Sequence, residues 1–156
     1  MKSASRRRET KTYIVEGIRM VREIPEHNLQ AVYVAESMEE TFRPVTDRFH
    51  IPVEVVRDSV FQSMSDTNTP QGILALVRMP QVEETSLYTE GTVPFLLIVE
   101  RLQDPGNLGT IIRTAEGAGV TGIILSADSV DLYNPKVVRS TMGSIFRIPV
   151  YVAQDL

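Results

Sequence analysis

Apolar residues along this 156-residue chain fall into short runs, separated by stretches in which apolar positions recur with helical period. The strongest run is Phe95-Leu96-Leu97-Ile98-Val99, apolar at every position. It predicts a strand covered on both faces, as in a parallel sheet. The turn Gln103-Asp104-Pro105-Gly106-Asn107 follows. In it Pro presets φ, Gly permits positive φ, and Asp or Asn can cap a helix. A helix is predicted from about Asn107, with Leu108, Ile111, Ile112 and Ala115 as its inward face. Gly109, Arg113 and Glu116 form a second stripe of the same period, directed away from that face. A strand, a turn and a helix N-terminus form an arrangement suited to anions.

The same reading extends to the rest of the chain. Residues 12–15 read as a strand and residues 16–24 as a helix with Ile18, Val21 and Ile24 inward, ended by Pro25. QAVYVA at 30–35 reads as a buried strand. Ser37 with Glu40 reads as a capping box, opening a helix whose apolar face is Phe42, Val45 and Phe49, kinked or broken at Pro44. Residues 52–56 form a strand, and Asp58 caps a short helix carrying Val60, Phe61 and Met64. A polar loop, SDTNTPQG, leads to a strand at 73–77. This alternation predicts a small α/β domain over residues 1–80. Residues 81–93 lack an apolar period, carry Glu83, Glu84 and Glu90, and read as a linker. A second α/β unit runs over 94–156. After the stretch described above, it has a strand at 122–125, a helix from Asn134 and Pro135 to about Met142, and a strand at 148–152. Parallel pairing through right-handed crossovers follows.

Composition narrows the classes. There is no cysteine, so no disulfide and no thiolate metal site. His27 and His50 lie near element ends with no third ligand at metal spacing, so no metal is expected. No run is long and apolar enough for a membrane span, and the basic N-terminus lacks the apolar stretch of a secretory signal. A cytoplasmic protein is the expectation. A net charge of −4 argues weakly against nucleic acid. Its distribution is uneven, because residues 1–11 hold Lys2, Arg6, Arg7, Arg8 and Lys11 against Glu9. That basic arm reads either as a phosphate-reaching segment or as a solvated tail.

Asn107-x-Gly109-x-x-x-Arg113-x-Ala115 resembles the first signature motif of the SpoU-type (TrmH-like) RNA 2′-O-ribose methyltransferases, of the SPOUT knotted class. The likeness continues through Asn134-Pro135-Lys136-Val137-Val138-Arg139-Ser140 and Met142-Gly143-Ser144-Ile145-Phe146-Arg147-Ile148-Pro149-Val150. Arg8, Tyr13, Val15, Glu16 and Gly17, with Thr69-Pro70-Gln71-Gly72-Ile73, are similar to the RNA-substrate-binding domain of that family. The resemblance implies a small α/β RNA-substrate-binding domain followed by the N-terminal part of a parallel-sheet, knotted-type methyltransferase domain, here incomplete. It further implies an intact, homodimeric enzyme that moves a methyl group from S-adenosylmethionine to a ribose 2′-hydroxyl, with ribosomal RNA as the expected substrate. The family's later motifs, which build the knot and most of the cofactor cleft, would lie beyond Leu156. The cofactor-binding residues are therefore expected outside this chain, which is expected to bind no cofactor and to be inactive alone. The alternative is an RNA-binding or structural module without catalysis.

The resemblance makes Asn107 and Arg113 the catalytic candidates. Asn107 also reads simply as a helix cap. Arg113 reads either as an i, i+3 partner of Glu116 or as a group beside the ribose and phosphate of the target nucleotide. A guanidinium is a poor base, which favours phosphate clamping and orientation of the hydroxyl. Gly106 and Gly109 fit a turn, close packing or ligand approach. The RNA-binding candidates are Arg6, Arg7, Arg8, Gln71, Lys136, Arg139 and Arg147. Gln71 either reads a base or closes a loop. Lys136, Arg139 and Ser140 share a helical face that is either solvated or set against RNA backbone or the cofactor cleft. Arg147, among Ile145, Phe146 and Ile148, requires a partner, acidic or RNA. A dinucleotide fingerprint is excluded, because the turn is Gly106-x-x-Gly109 with no phosphate-binding lysine after it.

Overall fold

The computed structural model describes residues 3–88 and 90–156. Met1 and Lys2 of the expected basic arm, and Thr89 of the expected linker, lie outside them. The chain divides into two compact units, Met1–Met79 and Pro80–Leu156.

In the first unit the strands are β1 (Thr12–Glu16), β2 (Leu29–Ala35), β3 (Val53–Val56) and β4 (Ile73–Arg78), in the order β1-β4-β2-β3. Strand β4 is antiparallel to both β1 and β2, while β2 and β3 are parallel. Helices α1 (Ala4–Thr10), α2 (Ile18–Val21), α3 (Glu39–Thr46) and α4 (Asp58–Met64) complete the unit. Val15, Val32, Leu74, Ala75 and Val77 are buried, and Phe61 of α4 packs with Leu74 and Ala35.

Four expectations need correction here. The basic arm is helical: Ser3 caps α1 by accepting from the Arg6 N–H, and Arg7 is buried. The helix expected over 16–24 is a single turn, because β1 runs on to Glu16 and Gly17, at φ 96°, turns the chain. Ser37 opens no capping box. Its N–H and hydroxyl donate to Asp58 at 3.2 and 2.9 Å, and α3 starts at Glu39 without a side-chain cap and runs through Pro44. Asp58 is therefore the first residue of α4 rather than its N-cap, which is Arg57.

The second unit is a parallel sheet of β5 (Leu96–Val99), β6 (Gly122–Ser126) and β7 (Val150–Ala153), with β6 central. Its helices are α5 (Pro105–Gly117) and α6 (Pro135–Ser140). One face carries Val99, Ile123, Leu125 and Val150, which pack with Leu108, Ile112, Ala115 and Val137 into the core. On the other face the register row Ile98, Ile124 and Tyr151 is open, with Ile98 62% exposed. The apolar run at 95–99 is thus left open at Ile98, contrary to the expectation of cover on both faces. The stretch read as a linker contributes to this unit. A 3₁₀ turn, Glu84–Leu87, buries Leu87 over Gly122, where a Cβ would lie 2.8 Å from the Leu87 Cδ2.

Candidate functional site

Helix α5 begins two residues earlier than its apolar period indicates. Asp104 is the N-cap, its carboxylate accepting from the Asn107 N–H at 2.7 Å, and Pro105 fills the first helical position. Asn107 is therefore not the cap. Its side chain is exposed and makes no hydrogen bond among the described residues. The Asp-Pro pair is the signal that locates this boundary, since proline lacks the N–H that the first helical position would leave unpaired.

The stripe Gly109, Arg113 and Glu116 is anchored at both ends. A Cβ on Gly109 would lie 2.3 Å from the Ser140 Cβ and 2.7 Å from the Val137 carbonyl oxygen. Gly109 therefore serves the close crossing of α5 and α6, which settles its role as packing. At the other end, the Glu116 carboxylate accepts from the Ser144 hydroxyl at 2.6 Å and from Arg147 through both Nε and Nη2, the latter at 3.1 Å. Ser144 is buried, in the turn that leads from α6 towards β7. These donors, Arg147 first and Ser144 second, hold the Glu116 carboxyl below its ordinary range. Arg147 thus has the acidic partner that its apolar neighbours required, held through Nε and Nη2 of its fork.

Arg113 lies between these anchors. It is exposed and has no ion pair among the described residues, while Glu116, its neighbour at i+3, pairs with Arg147. Lys136 is also exposed, and its Cε lies 3.8 Å from the position a Gly106 Cβ would occupy, which sets it near the start of α5. Ser140, by contrast, faces Gly109 and bonds back to the Lys136 carbonyl oxygen at 2.8 Å. Arg139 is half-buried on the same helix. The second unit therefore displays Asn107 and Arg113 on one helix and sets Lys136 near that helix's N-terminus. That set can hold a phosphate diester and orient a neighbouring hydroxyl.

The first unit places its candidates differently. Arg6 pairs with Glu9 at 2.8 Å, Arg7 is buried with a partner of its own, and Arg8 is exposed. Arg7 cannot belong to a free basic arm, because α1 turns it inward. The exposed Gln71 lies over Gly17, where a Cβ would sit 2.8 Å from its Oε1. Sequence reasoning missed what fixes the adjoining loop. Glu16 accepts from Ser65 at 2.7 Å and Thr67 at 2.9 Å, so one carboxylate pins the polar segment that ends at Gln71.

The C-terminal ends of β5 and β6, where open parallel sheets bind ligands, are internally bonded. Ser126 donates to Asp128 and accepts from the Arg101 N–H, and Ser129 accepts from the Leu102 N–H. No buried side-chain nitrogen or oxygen among the described residues lacks a partner. A cavity of about 600 Å³ beside β5 and α5 is lined mainly by Leu97, Ile98, Leu102, Ile111, Ala115 and Val120. No group of three or more potential metal ligands occurs among the described residues, and none of their helices is long and apolar enough to cross a membrane.

Comparison with known proteins agrees with this architecture. A model of the SpoU rRNA Methylase family matches residues 94–156, and one of the MRM3-like substrate binding domain matches residues 1–75. The chain is 35% identical over 147 residues to 23S rRNA (guanosine(2553)-2′-O)-methyltransferase RlmP of Bacillus subtilis, covering 92% of this chain and 55% of that protein. It is 46% identical over 89 residues to human mitochondrial rRNA methyltransferase 3, covering 55% and 21% of the two chains. The AdoMet-bound rRNA methyltransferase from Sinorhizobium meliloti superposes with a TM-score of 0.79 at 27% identity, over 97% of this chain and 58% of that one. The SpoU methyltransferase AviRb from Streptomyces viridochromogenes shares the fold, with a TM-score of 0.88 at 23% identity, over 98% and 59%. The chain spans little more than half the length of the Bacillus relative and of these two solved structures, and about a fifth of the human protein.

Proposed function

Because the chain belongs to the SpoU rRNA methylase family, we propose that it forms the RNA-substrate-binding domain and the first part of the methyltransferase domain of a 2′-O-ribose methyltransferase. The substrate is ribosomal RNA and the methyl donor S-adenosylmethionine, in keeping with the names of the Bacillus and Sinorhizobium proteins. The intact protein works as a homodimer in the cytoplasm. The observation that carries this reading is Arg113, exposed and without an acidic partner on the helix that also displays Asn107.

S-adenosylmethionine supplies an electrophilic methyl group when bound. The described residues do not by themselves form its cradle. The polar groups at the ends of β5 and β6 bond to one another, and the neighbouring cavity is mostly apolar. What these residues contribute is on the RNA side. Arg113 clamps the phosphate next to the target ribose, Lys136 adds charge near the start of α5, and Asn107 hydrogen-bonds the ribose. Alignment of the hydroxyl with the methyl carbon supplies most of the acceleration. A guanidinium is a poor base, so Arg113 clamps and orients while the hydroxyl proton passes to solvent as the methyl group is transferred. Exposed Arg6, Arg8 and Gln71, with half-buried Arg139, extend the RNA contact.

A ribose-methylation map of ribosomal RNA from cells with and without the gene tests the reading. One 2′-O-methyl mark should disappear, and an unchanged map would rule it out. A second reading applies to the 156 residues taken alone, favoured by the internally bonded strand ends: RNA binding without catalysis. Calorimetric titration with S-adenosylmethionine should then give little or no heat. A low-micromolar dissociation constant, about −8 kcal/mol, would show that these residues already hold the cofactor.

A further inference from the structure

We propose that Arg147 is a positioning residue that keeps Arg113 available for RNA by occupying Glu116. The inference rests on the role assigned to Arg113 above. Arg113 and Glu116 are i, i+3 neighbours on α5, the spacing at which a helix ordinarily forms an ion pair. Left alone, Glu116 would compete with a phosphate for the Arg113 guanidinium. In this structure both Glu116 oxygens are already bonded. Oε1 takes the Arg147 Nε–H, and Oε2 takes the Arg147 Nη2–H and the Ser144 hydroxyl.

The two competing pairs are unequal. Arg147 offers a two-pronged contact from a turn held by backbone bonds from Arg147 to Ser144 and from Ser144 to Thr141. Arg113 could offer only a solvated contact along one helix, which is weak and screened by salt. The fork therefore wins. The turn between α6 and β7, distant in sequence from α5, thus sets the charge state of the surface around Arg113. A merely structural ion pair would not distinguish its two partners. This arrangement does, because removing Arg147 frees Glu116 to capture Arg113, whereas removing the Glu116 charge cannot.

The test uses R147M, E116Q and the double variant R147M/E116Q, which carries the same net charge as the wild type. Nitrogen-15 NMR follows the Arg113 Nε–Hε signal, and a single-stranded oligoribonucleotide at low salt reports RNA affinity. In R147M the Arg113 signal should shift and exchange more slowly, and affinity should fall by up to about twofold, the size an exposed i, i+3 pair can impose. E116Q should retain the wild-type affinity, and the double variant should recover both the signal and the affinity. An unmoved Arg113 signal in folded R147M overturns the inference and leaves the RNA reading standing. Equal losses in R147M and E116Q also overturn it, by reducing the pair to a structural one. A shifted signal with an affinity that neither R147M nor R113A alters overturns instead the role of Arg113 on which the inference rests.

Discussion

Arg113 is a charged side chain on an exposed turn of α5 with no ion pair among the described residues, so its removal should cost function rather than fold. In an active protein carrying these residues, Arg113→Ala should lower methyl transfer sharply while unfolding free energy changes by no more than ~0.5 kcal/mol, as exposed substitutions usually do. Parallel losses of activity and thermal midpoint would make the residue structural. Glu116 predicts a pH dependence. Its carboxyl is held below the ordinary value of 4.5 by Arg147 and then by Ser144. A carboxyl depressed in the folded state takes up its proton more readily when unfolded. Its contribution is therefore present above about pH 4.5 and disappears as pH falls through the lower folded value. Glu116→Gln has no such titration, so the urea midpoint of the wild type should fall more steeply with acid than that of the variant. Superimposable pH profiles would show that the clamp adds nothing to stability.

At the scale of elements, the crossing of α5 over α6 depends on Gly109. A methyl group there would lie 2.3 Å from the Ser140 Cβ and 2.7 Å from a backbone carbonyl, which cannot swing aside. Gly109→Ala should destabilise by ~1–3 kcal/mol, the usual cost of overpacking, and chemical denaturation measures it directly. An unchanged midpoint would mean that the helices separate freely. This contact also marks the limit of what sequence alone conveys. Apolar period placed the strands and α5 because core-facing positions must recur at the spacing of the backbone. It could not place α1, whose inward residue is Arg7, a type that composition assigns to solvent. Nor could it find the start of α3, because Ser37 bonds to Asp58 across a loop instead of capping its own helix. The motif stripe was legible, yet the use of Gly109 and Glu116 depended on α6 and the following turn, which local spacing does not reveal. Leu87 lies in the apparent linker yet covers β6 at Gly122, and the surrounding glutamates obscured it.

For the whole molecule, the second unit presents an open sheet face and two unpaired edge strands. The order β5-β6-β7 leaves β5 and β7 outermost. Phe95 is 55%, Ile98 62% and Val152 38% exposed, a concentration of apolar surface at and beside those edges. Unpaired edges template further pairing, and contiguous apolar patches drive association. Solutions of these 156 residues should therefore show concentration-dependent self-association by sedimentation velocity. Ile98→Lys is the discriminating variant. It places a charge on the open face of the edge strand, at a position where substitution should alter monomer stability by only ~0.5 kcal/mol. It should shift the distribution to monomer without lowering the unfolding midpoint. If the variant instead unfolds at lower denaturant, Ile98 is covered in solution, and the face is closed by contacts within one chain. If the wild type stays monomeric at every concentration, neither edge is sticky, and the apolar surface must be occupied in some other way.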